Sequence, residues 1–361
     1  MKKTSKTLWV MGPRFKSPTG ISIYSEVYIK ELSRLGFEID ELNIPFKPRT
    51  IFRYLYQFIF LPLLIFKRKK LYSHVVLYEE GFSFLVLFCR LFNIKSILIY
   101  HHFPEPKRNQ TFIEMVKDVW VKSNQSLLKL CDYIIVPSEN TKKSLCNISE
   151  LDCSKISIIY NAFQRKKLPP KSKHDLLVEY GIEYSTNKIY LLFVGSDETR
   201  KNFEVCLRAL NNIGDPRLVL IKIGKSIVKE NKTKYLRFVK DNCLKVYFLE
   251  DIPQDDLSLF YKFSDIFLMP SSHEGFGRSV IEAQLMGLPV LASEINVFKE
   301  ILRDSCVFVC NYFDFYEWSI AIITLLNDKN KMNDLIKKGF ENSSRFLIQN
   351  NVDKFIKLIN L

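Results

Sequence analysis

Short apolar runs alternate with longer amphipathic ones along the chain. In the first half the short runs are TLWVMG, HVVLYE, KSILIYHH, DYIIVP and KISIIYN; between them lie GISIYSEVYIKELSRLG and a long stretch at helical spacing from Phe112 to Leu130. The short runs have the length and branched apolar composition of buried strands, and the spacers repeat their apolar positions every three or four residues, as one face of a helix does. Such βα alternation predicts a parallel sheet covered by helices. After QRKKLPPKSK, a basic segment containing Pro169 and Pro170, the alternation restarts with IYLLFVG, RLVLIKIG, KVYFLE, DIFLMP, LPVLAS and CVFVC. The proline segment reads as a linker, and 361 residues exceed what one core usually organises. The expected organisation is a Rossmann-like domain over 1–163, a linker over 164–174, a second Rossmann-like domain over 175–340, and a C-terminal helix within 341–361 that returns toward the first domain.

Two open α/β sheets of this kind bind ligands outside the carboxyl ends of their strands, so a cleft between them is expected to be lined by the polar loops that follow each strand. In the first half these are Gly12 to Gly20, His101 to Glu105 and Ser138 to Asn140. In the second half they are Gly195 to Asn202, Leu249 to Ile252 and Ser271 to Gly277.

The last of these loops carries two acids. Behind the strand DIFLMP comes SSHEGFGRSVIEAQLMGLPVLAS, in which Val280, Ile281, Leu285 and Met286 fall at roughly helical spacing and Gly287 is placed to end the helix. Glu274 therefore lies on the turn and Glu282 on the helix. Free N–H groups and the dipole of that helix make its N-terminus an anion site. GSDETRKN brings Arg200 and Lys201 to the end of another strand, so two cations and a helix N-terminus would converge on a phosphate-bearing ligand, most naturally a diphosphate.

Charge and cysteine content narrow the class. A formal net charge of +14 calls for an anionic partner, but the cations are spread over the linker, a hydrophobic flank and the cleft loops, with no RNA- or DNA-binding module, so nucleic acid is not the expected partner. The eight cysteines form no CxxC pair, and neither disulfides nor a zinc site are expected. MKKTSKTLWVMGPRF has only a short apolar run before Gly12 and Pro13, unlike a secretory signal, and a cytoplasmic location follows as the expectation. The most apolar segment, Tyr54 to Phe66, is shorter than the roughly 20 residues of a spanning helix and contains Pro62. Seven basic residues and no acidic one lie between Lys47 and Lys70. That pattern fits a surface leaning on anionic lipid, with a core helix bearing a solvated basic end as the other reading.

Taken together these motifs resemble the retaining GT-B glycosyltransferases of family 4 (glycosyl transferases group 1). The likeness covers nearly the whole chain. Glu274, seven residues, Glu282 and then GLPV resemble the family's donor-site signature; FVGSDETRKN is similar to its VG…RKN loop, IIVPSENTKKSL to its serine-containing segment, and IIYNAF to the strand before its linker. The resemblance implies an α/β fold of two Rossmann-like doubly wound domains with a cleft between them, the N-terminal one binding acceptor and the C-terminal one nucleotide sugar. It implies transfer of a hexose-type sugar from a GDP- or UDP-sugar, with retention, to a sugar or lipid-linked saccharide, in surface polysaccharide synthesis of the O-antigen, lipopolysaccharide or capsule type.

The resemblance also assigns roles. Arg200 and Lys201 would hold the diphosphate, Glu282 the ribose hydroxyls and Glu274 the transferred sugar. Gly275, Phe276 and Gly277 would complete the phosphate cradle by their backbone. Asp251 and Ile252 would meet the nucleobase, with Gly20 and Ser196 also on the donor. A histidine at the end of the KSILIY strand would face the reacting region, His102 being favoured over His101. No metal or other cofactor is implied, and the chain has no D-x-D carboxylate pair. The pattern departs from the family at SPTGIS, where Gly20 stands alone, and at YFLEDIP, where Glu250 replaces a glycine. An inactive nucleotide-sugar-binding scaffold and a GT-B epimerase are the alternative readings.

Overall fold

A computed structural model of the chain describes residues 6–13, 20–46, 50–101, 126–149, 151–165 and 167–360. Two compact units emerge, one formed by Met1–Gln164 together with Leu347–Leu361 and the other by Arg165–Phe346.

The first unit holds a six-stranded sheet in the order β2-β1-β3-β4-β5-β6. Its strands are β1 Lys6–Pro13, β2 Ile39–Ile44, β3 Tyr72–Leu77, β4 Lys95–Ile99, β5 Tyr133–Val136 and β6 Ile156–Ile158, all paired in parallel. β3 and β4 are almost wholly buried, as expected of central strands covered on both faces. The edge strand β2 (IDELNI) is half-exposed and polar, so the apolar pattern does not reveal it; Asp40 is satisfied there by Tyr72 (2.6 Å) and Lys6 (3.0 Å). The helix Val352–Ile359 packs into this unit: Phe355 stacks on Trp9 (5.1 Å) and lies against Tyr28 (5.4 Å). Residues 341–344, expected in the same final helix, instead end the preceding one, Lys329–Ser344.

The second sheet runs β12-β11-β10-β7-β8-β9. Its strands are β7 Ile189–Val194, β8 Leu218–Ile223, β9 Val246–Leu249, β10 Ile266–Met269, β11 Val290–Ser293 and β12 Val307–Val309, again all parallel. Read from its own first strand, this is the dinucleotide-binding order 3-2-1-4-5-6, and the strand order reverses between β7 and β10. The two sheets and their helices make the chain α/β with two doubly wound units.

One expectation changes. Cys146 and Cys153 are joined by a disulfide at a Cα separation of 5.9 Å, although no disulfide was expected. Their spacing of seven carries no motif; the end of the helix Glu139–Ser149 and the turn Cys153–Lys155 bring them within bonding range. The segment around Tyr54–Phe66 is helical in three consecutive pieces, Ile51–Leu55, a π-helical turn Tyr56–Phe60, and Leu61–Arg68. It buries Gln57, Leu61 and Ile65 but exposes Ile51, Phe52, Ile59, Phe60, Leu63 and Phe66. No described helix is long and apolar enough to cross a membrane. Most of the helical stretch expected from Phe112 to Leu130 lies outside the described residues, as do His102 and the middle of the Gly12 to Gly20 loop.

Candidate active site at the switch point of the second sheet

The two central strands that flank the reversal end in the two loops of interest. β7 is an apolar run that stops at Val194, and Gly195 follows. A 3₁₀ turn at Thr199–Lys201 then leads through Asn202, in the left-handed region (φ 52°), into the helix Phe203–Ile213. Asparagine tolerates that backbone better than most residues, and its side chain bonds the Tyr312 carbonyl at 2.8 Å. β10 is buried throughout and ends at Met269. Its loop turns through Gly277 (φ 87°) into the helix Arg278–Leu285. A side chain at Gly277 would be strained by that φ and would meet the Phe298 ring at 2.5 Å, so glycine is needed for the turn.

The two loops are tied to each other through backbone and side chains. The Ser272 amide donates to the Arg200 carbonyl (2.8 Å), and the Ser272 hydroxyl donates to the same oxygen (3.2 Å). Lys201 Nζ lies 2.5 Å from Glu274 Oε1, which also accepts from the Ser271 hydroxyl at 3.0 Å. Arg200 spans two acids, with one guanidinium nitrogen 3.4 Å from Glu274 Oε2 and the other 2.9 Å from Glu198 Oε2. Ser196 donates to that same Glu198 oxygen at 2.7 Å. The side chains of Lys201 and Glu274 keep only 13% and 9% of their surface exposed, so their attraction is little screened by water. Burial alone would raise the Glu274 carboxyl; the Lys201 and Arg200 charges, with hydrogen bonds from Lys201 and Ser271, outweigh it and hold the group below its ordinary range. Two cations and two carboxylates thus balance at the switch point, beside the N-terminus of the 278–285 helix.

The remaining expected donor residues are distributed around this centre. Gly275 and Phe276 follow Glu274 on the loop, the Phe276 side chain being buried edge-on to Phe346. Glu282, one turn into the helix, accepts from the Tyr261 hydroxyl at 3.2 Å and pairs with Arg278 at 3.3 Å. Asp251 and Ile252 follow β9. Asp251 adopts a positive φ of 54° and pairs with Lys225 at 3.0 Å, while Glu250 pairs with Lys232 at 3.1 Å.

In the first unit, Gly20 is the exposed first residue of the helix Gly20–Arg34. His101 follows β4 and is buried; its Nε2–H donates to the Tyr78 carbonyl at 2.9 Å, and its ring meets Tyr24 edge-on. Gly12, at the end of β1, faces Tyr78, whose hydroxyl would lie 1.8 Å from an added Cβ. The neighbouring Glu80 is pushed up to about 7, chiefly by burial and then by the Glu79 charge, and its Oε2 has no hydrogen-bond partner. Glu79, Glu80 and Glu198 were not singled out from sequence. Glu198 lies within the GSDETRKN motif, two residues before Arg200, and that proximity was the available signal. No group of three or more His, Cys, Asp or Glu side chains among the described residues is arranged to hold a metal ion.

Fold comparison places both units among known structures. The chain superposes on the Anabaena Alr3699/HepE crystal structure in complex with UDP and glucose at a TM-score of 0.78, covering 99% of each chain at 15% identity. It superposes on WaaG, a glycosyltransferase involved in lipopolysaccharide biosynthesis, at a TM-score of 0.73, covering 98% of this chain and 99% of WaaG at 12% identity. The fold is that of the GT-B glycosyltransferases. Residues 182–342, which hold the whole switch-point site, match the family model for glycosyl transferases group 1. Among curated proteins the chain is 26% identical to the O-antigen chain mannosyltransferase RfbU of Salmonella typhimurium over 244 residues, 64% of each chain. It is 29% identical to the O-antigen biosynthesis glycosyltransferase WclY of Escherichia coli over 159 residues, 44% of this chain and 42% of WclY. The chain therefore spans less than two thirds of the length of either relative.

Proposed function

We propose that the chain is a retaining hexosyltransferase of family 4, moving a sugar from a GDP- or UDP-sugar to a saccharide or lipid-linked saccharide acceptor in surface polysaccharide synthesis. The observation that carries this reading is the part-buried Lys201–Glu274 pair at the β7/β10 switch point, backed by Arg200 and by the N-terminus of the 278–285 helix. Departure of a nucleoside diphosphate develops negative charge, and fixed cations and helix N–H groups in a site of low polarity stabilise such charge without reorganising. On this reading Lys201 and Arg200 exchange their carboxylate partners for phosphate oxygens. Glu274, released from Lys201, accepts a hydrogen bond from a hydroxyl of the transferred sugar. Glu282 holds the ribose hydroxyls and the Asp251–Ile252 turn meets the base. Transfer proceeds without a metal, since protein cations take the place of one at the diphosphate.

The O-antigen roles in the names of RfbU and WclY support a polysaccharide product, and the mannosyl specificity of RfbU makes GDP-mannose a donor to try first. The exposed apolar face over Ile51–Phe66, followed by Lys67, Arg68, Lys69 and Lys70, supports a peripheral position on the inner face of the cell membrane, where a lipid-linked acceptor is presented. The deciding experiment incubates purified protein with radiolabelled GDP-mannose and UDP-glucose and a lipid extract. Label entering the lipid fraction supports the transferase. Nucleotide sugar bound and left intact points to the scaffold, and conversion to an epimeric nucleotide sugar points to the epimerase.

A further inference from the structure

The loop that carries Arg200 and Lys201 is held from two sides. On one side it is tied to the Ser271–Glu274 loop, as described above. On the other it is tied to the segment between β8 and the helix Lys229–Asp241, through Asp197. Asp197 is 1% exposed; its Oδ1 accepts the Ile227 amide at 2.6 Å and the Val228 amide at 3.0 Å, and its carbonyl accepts from the Asn231 side chain at 2.7 Å. Its other oxygen, Oδ2, is also buried and has no hydrogen-bond partner. Nearby on β8 is Lys222, an equally buried residue whose ammonium donates to the Gly224 carbonyl at 2.6 Å. Burial pushes the Lys222 pKa down, and the nearby Asp197 and Glu250 charges oppose that shift. The backbones meet at the same place: Gly195 N donates to the Ile223 carbonyl at 2.9 Å. A Cβ at Gly224 would fall 2.4 Å from the Gly195 carbonyl oxygen.

We infer that Asp197 is the positioning residue of the donor site: its carboxylate pins the 195–202 segment to the 225–231 segment and thereby sets where Arg200 and Lys201 stand against Glu274. The inference rests on the donor-site reading above. Asp197 itself touches no donor on this account; it acts three and four residues downstream, through the 3₁₀ turn Thr199–Lys201. A charged site is productive only when its groups are held to a fraction of an ångström, and misplacement by about 1 Å costs up to about a hundredfold. An exposed loop with the same two cations would not meet that demand. The buried Lys222 ammonium favours an acid over a neutral acceptor at this position, since Asp197 and Glu250 are the charges that oppose its desolvation.

Asp197→Ala alone would remove one of the two carboxylates that offset the buried Lys222 charge and risks unfolding the unit, so the test uses the Lys222→Met background. Three proteins are compared: K222M, D197A/K222M, and D197N/K222M, whose amide oxygen can still accept the Ile227 and Val228 amides. UDP and GDP are titrated into each by calorimetry, and folding is checked by circular dichroism. D197A/K222M is expected to remain folded and to bind the nucleotide about tenfold to a hundredfold more weakly than K222M. D197N/K222M is expected to recover most of that loss. A folded D197A/K222M that binds as tightly as K222M, or an Asn variant no better than Ala, overturns the assignment. Hydrogen exchange without nucleotide supplies a second arm: amides of 196–201 and of Ile227 and Val228 should exchange faster in D197A/K222M than in K222M, and unchanged exchange overturns the pin. If the unmodified protein binds neither UDP nor GDP, the donor reading falls, while the exchange arm still decides whether Asp197 holds the loop.

Discussion

Replacing Lys201 by methionine removes the ammonium 2.5 Å from Glu274 while keeping most of the side-chain volume. Two unit charges about 4 Å apart attract by about 4 kcal/mol at an effective dielectric of about 20, and the cost of desolvating both groups offsets part of that. Glu274 also keeps Arg200 at 3.4 Å and Ser271 at 3.0 Å, which limits the damage. We therefore expect Lys201→Met to destabilise the second unit by about 2–4 kcal/mol near neutral pH, and a cycle with Glu274→Gln to give a coupling energy of about 2–3 kcal/mol. The pH dependence has a definite sign. In the unmodified protein the Glu274 carboxyl is held below its ordinary value of 4.5, so its contribution is present above that value and is lost as the pH falls through the lowered one. Without Lys201 burial dominates and the carboxyl takes up a proton more readily, so the deficit of Lys201→Met should shrink from about pH 8 to about pH 5. Urea unfolding followed by circular dichroism, for both single variants and the double variant at the two pH values, measures this. Single effects that add to within about 0.5 kcal/mol, or a deficit that grows on acidification, would refute the reasoning.

Three further outcomes are expected. Sugar transfer should persist in excess EDTA; activity that vanishes and returns only with Mg²⁺ or Mn²⁺ would show that protein cations do not suffice. Replacing Lys67, Arg68, Lys69 and Lys70 with glutamine should abolish most flotation with anionic vesicles, each being worth about 1 kcal/mol at such a surface, while UDP or GDP affinity stays unchanged; full flotation of the variant would end the lipid reading. Glu80, pushed up to about 7 from 4.5, keeps a proton in the folded chain that the unfolded chain has lost, so it makes stability fall as the pH rises through that window. Glu80→Gln should flatten that fall and raise stability near pH 8 by at most about 3 kcal/mol, less where water reaches the carboxyl; an unchanged profile by thermal melts at several pH values would show that Glu80 is ionised as usual.

The strands with continuous apolar runs were legible from sequence because parallel strands covered on both faces need no polar alternation. β2 escaped for the converse reason: at the sheet edge Asp40, Glu41 and Asn43 can face water or local partners, so IDELNI resembles a loop. At the switch point, Arg200, Lys201 and Glu274 could be singled out because each lies in the polar loop behind a strand, Arg200 and Lys201 after Gly195 and Glu274 just ahead of Gly275 and Gly277. Their mutual neutralisation could not, since it depends on how β7 and β10 become neighbours although the chain between them runs through β8 and β9. The pairing of Glu198 with Arg200 and the anchoring by Asp197 were hidden for a similar reason. In GSDETRKN both acids read as solvated loop residues, and only the course of the backbone turns one toward the guanidinium and buries the other. The Cys146–Cys153 bond likewise follows from a helix end and a turn rather than from any motif.

The central claim is that a nucleoside diphosphate occupies the β7/β10 switch point, and a crystal structure of the protein with UDP or GDP tests it most directly. The account predicts phosphate oxygens within hydrogen-bond reach of Arg200, Lys201 and the backbone amides that open the 278–285 helix, ribose hydroxyls on Glu282, and Lys201 drawn away from Glu274. Nucleotide bound elsewhere, or bound there with the Lys201–Glu274 pair intact and Glu282 turned from the ribose, would contradict it, as would binding of neither UDP nor GDP.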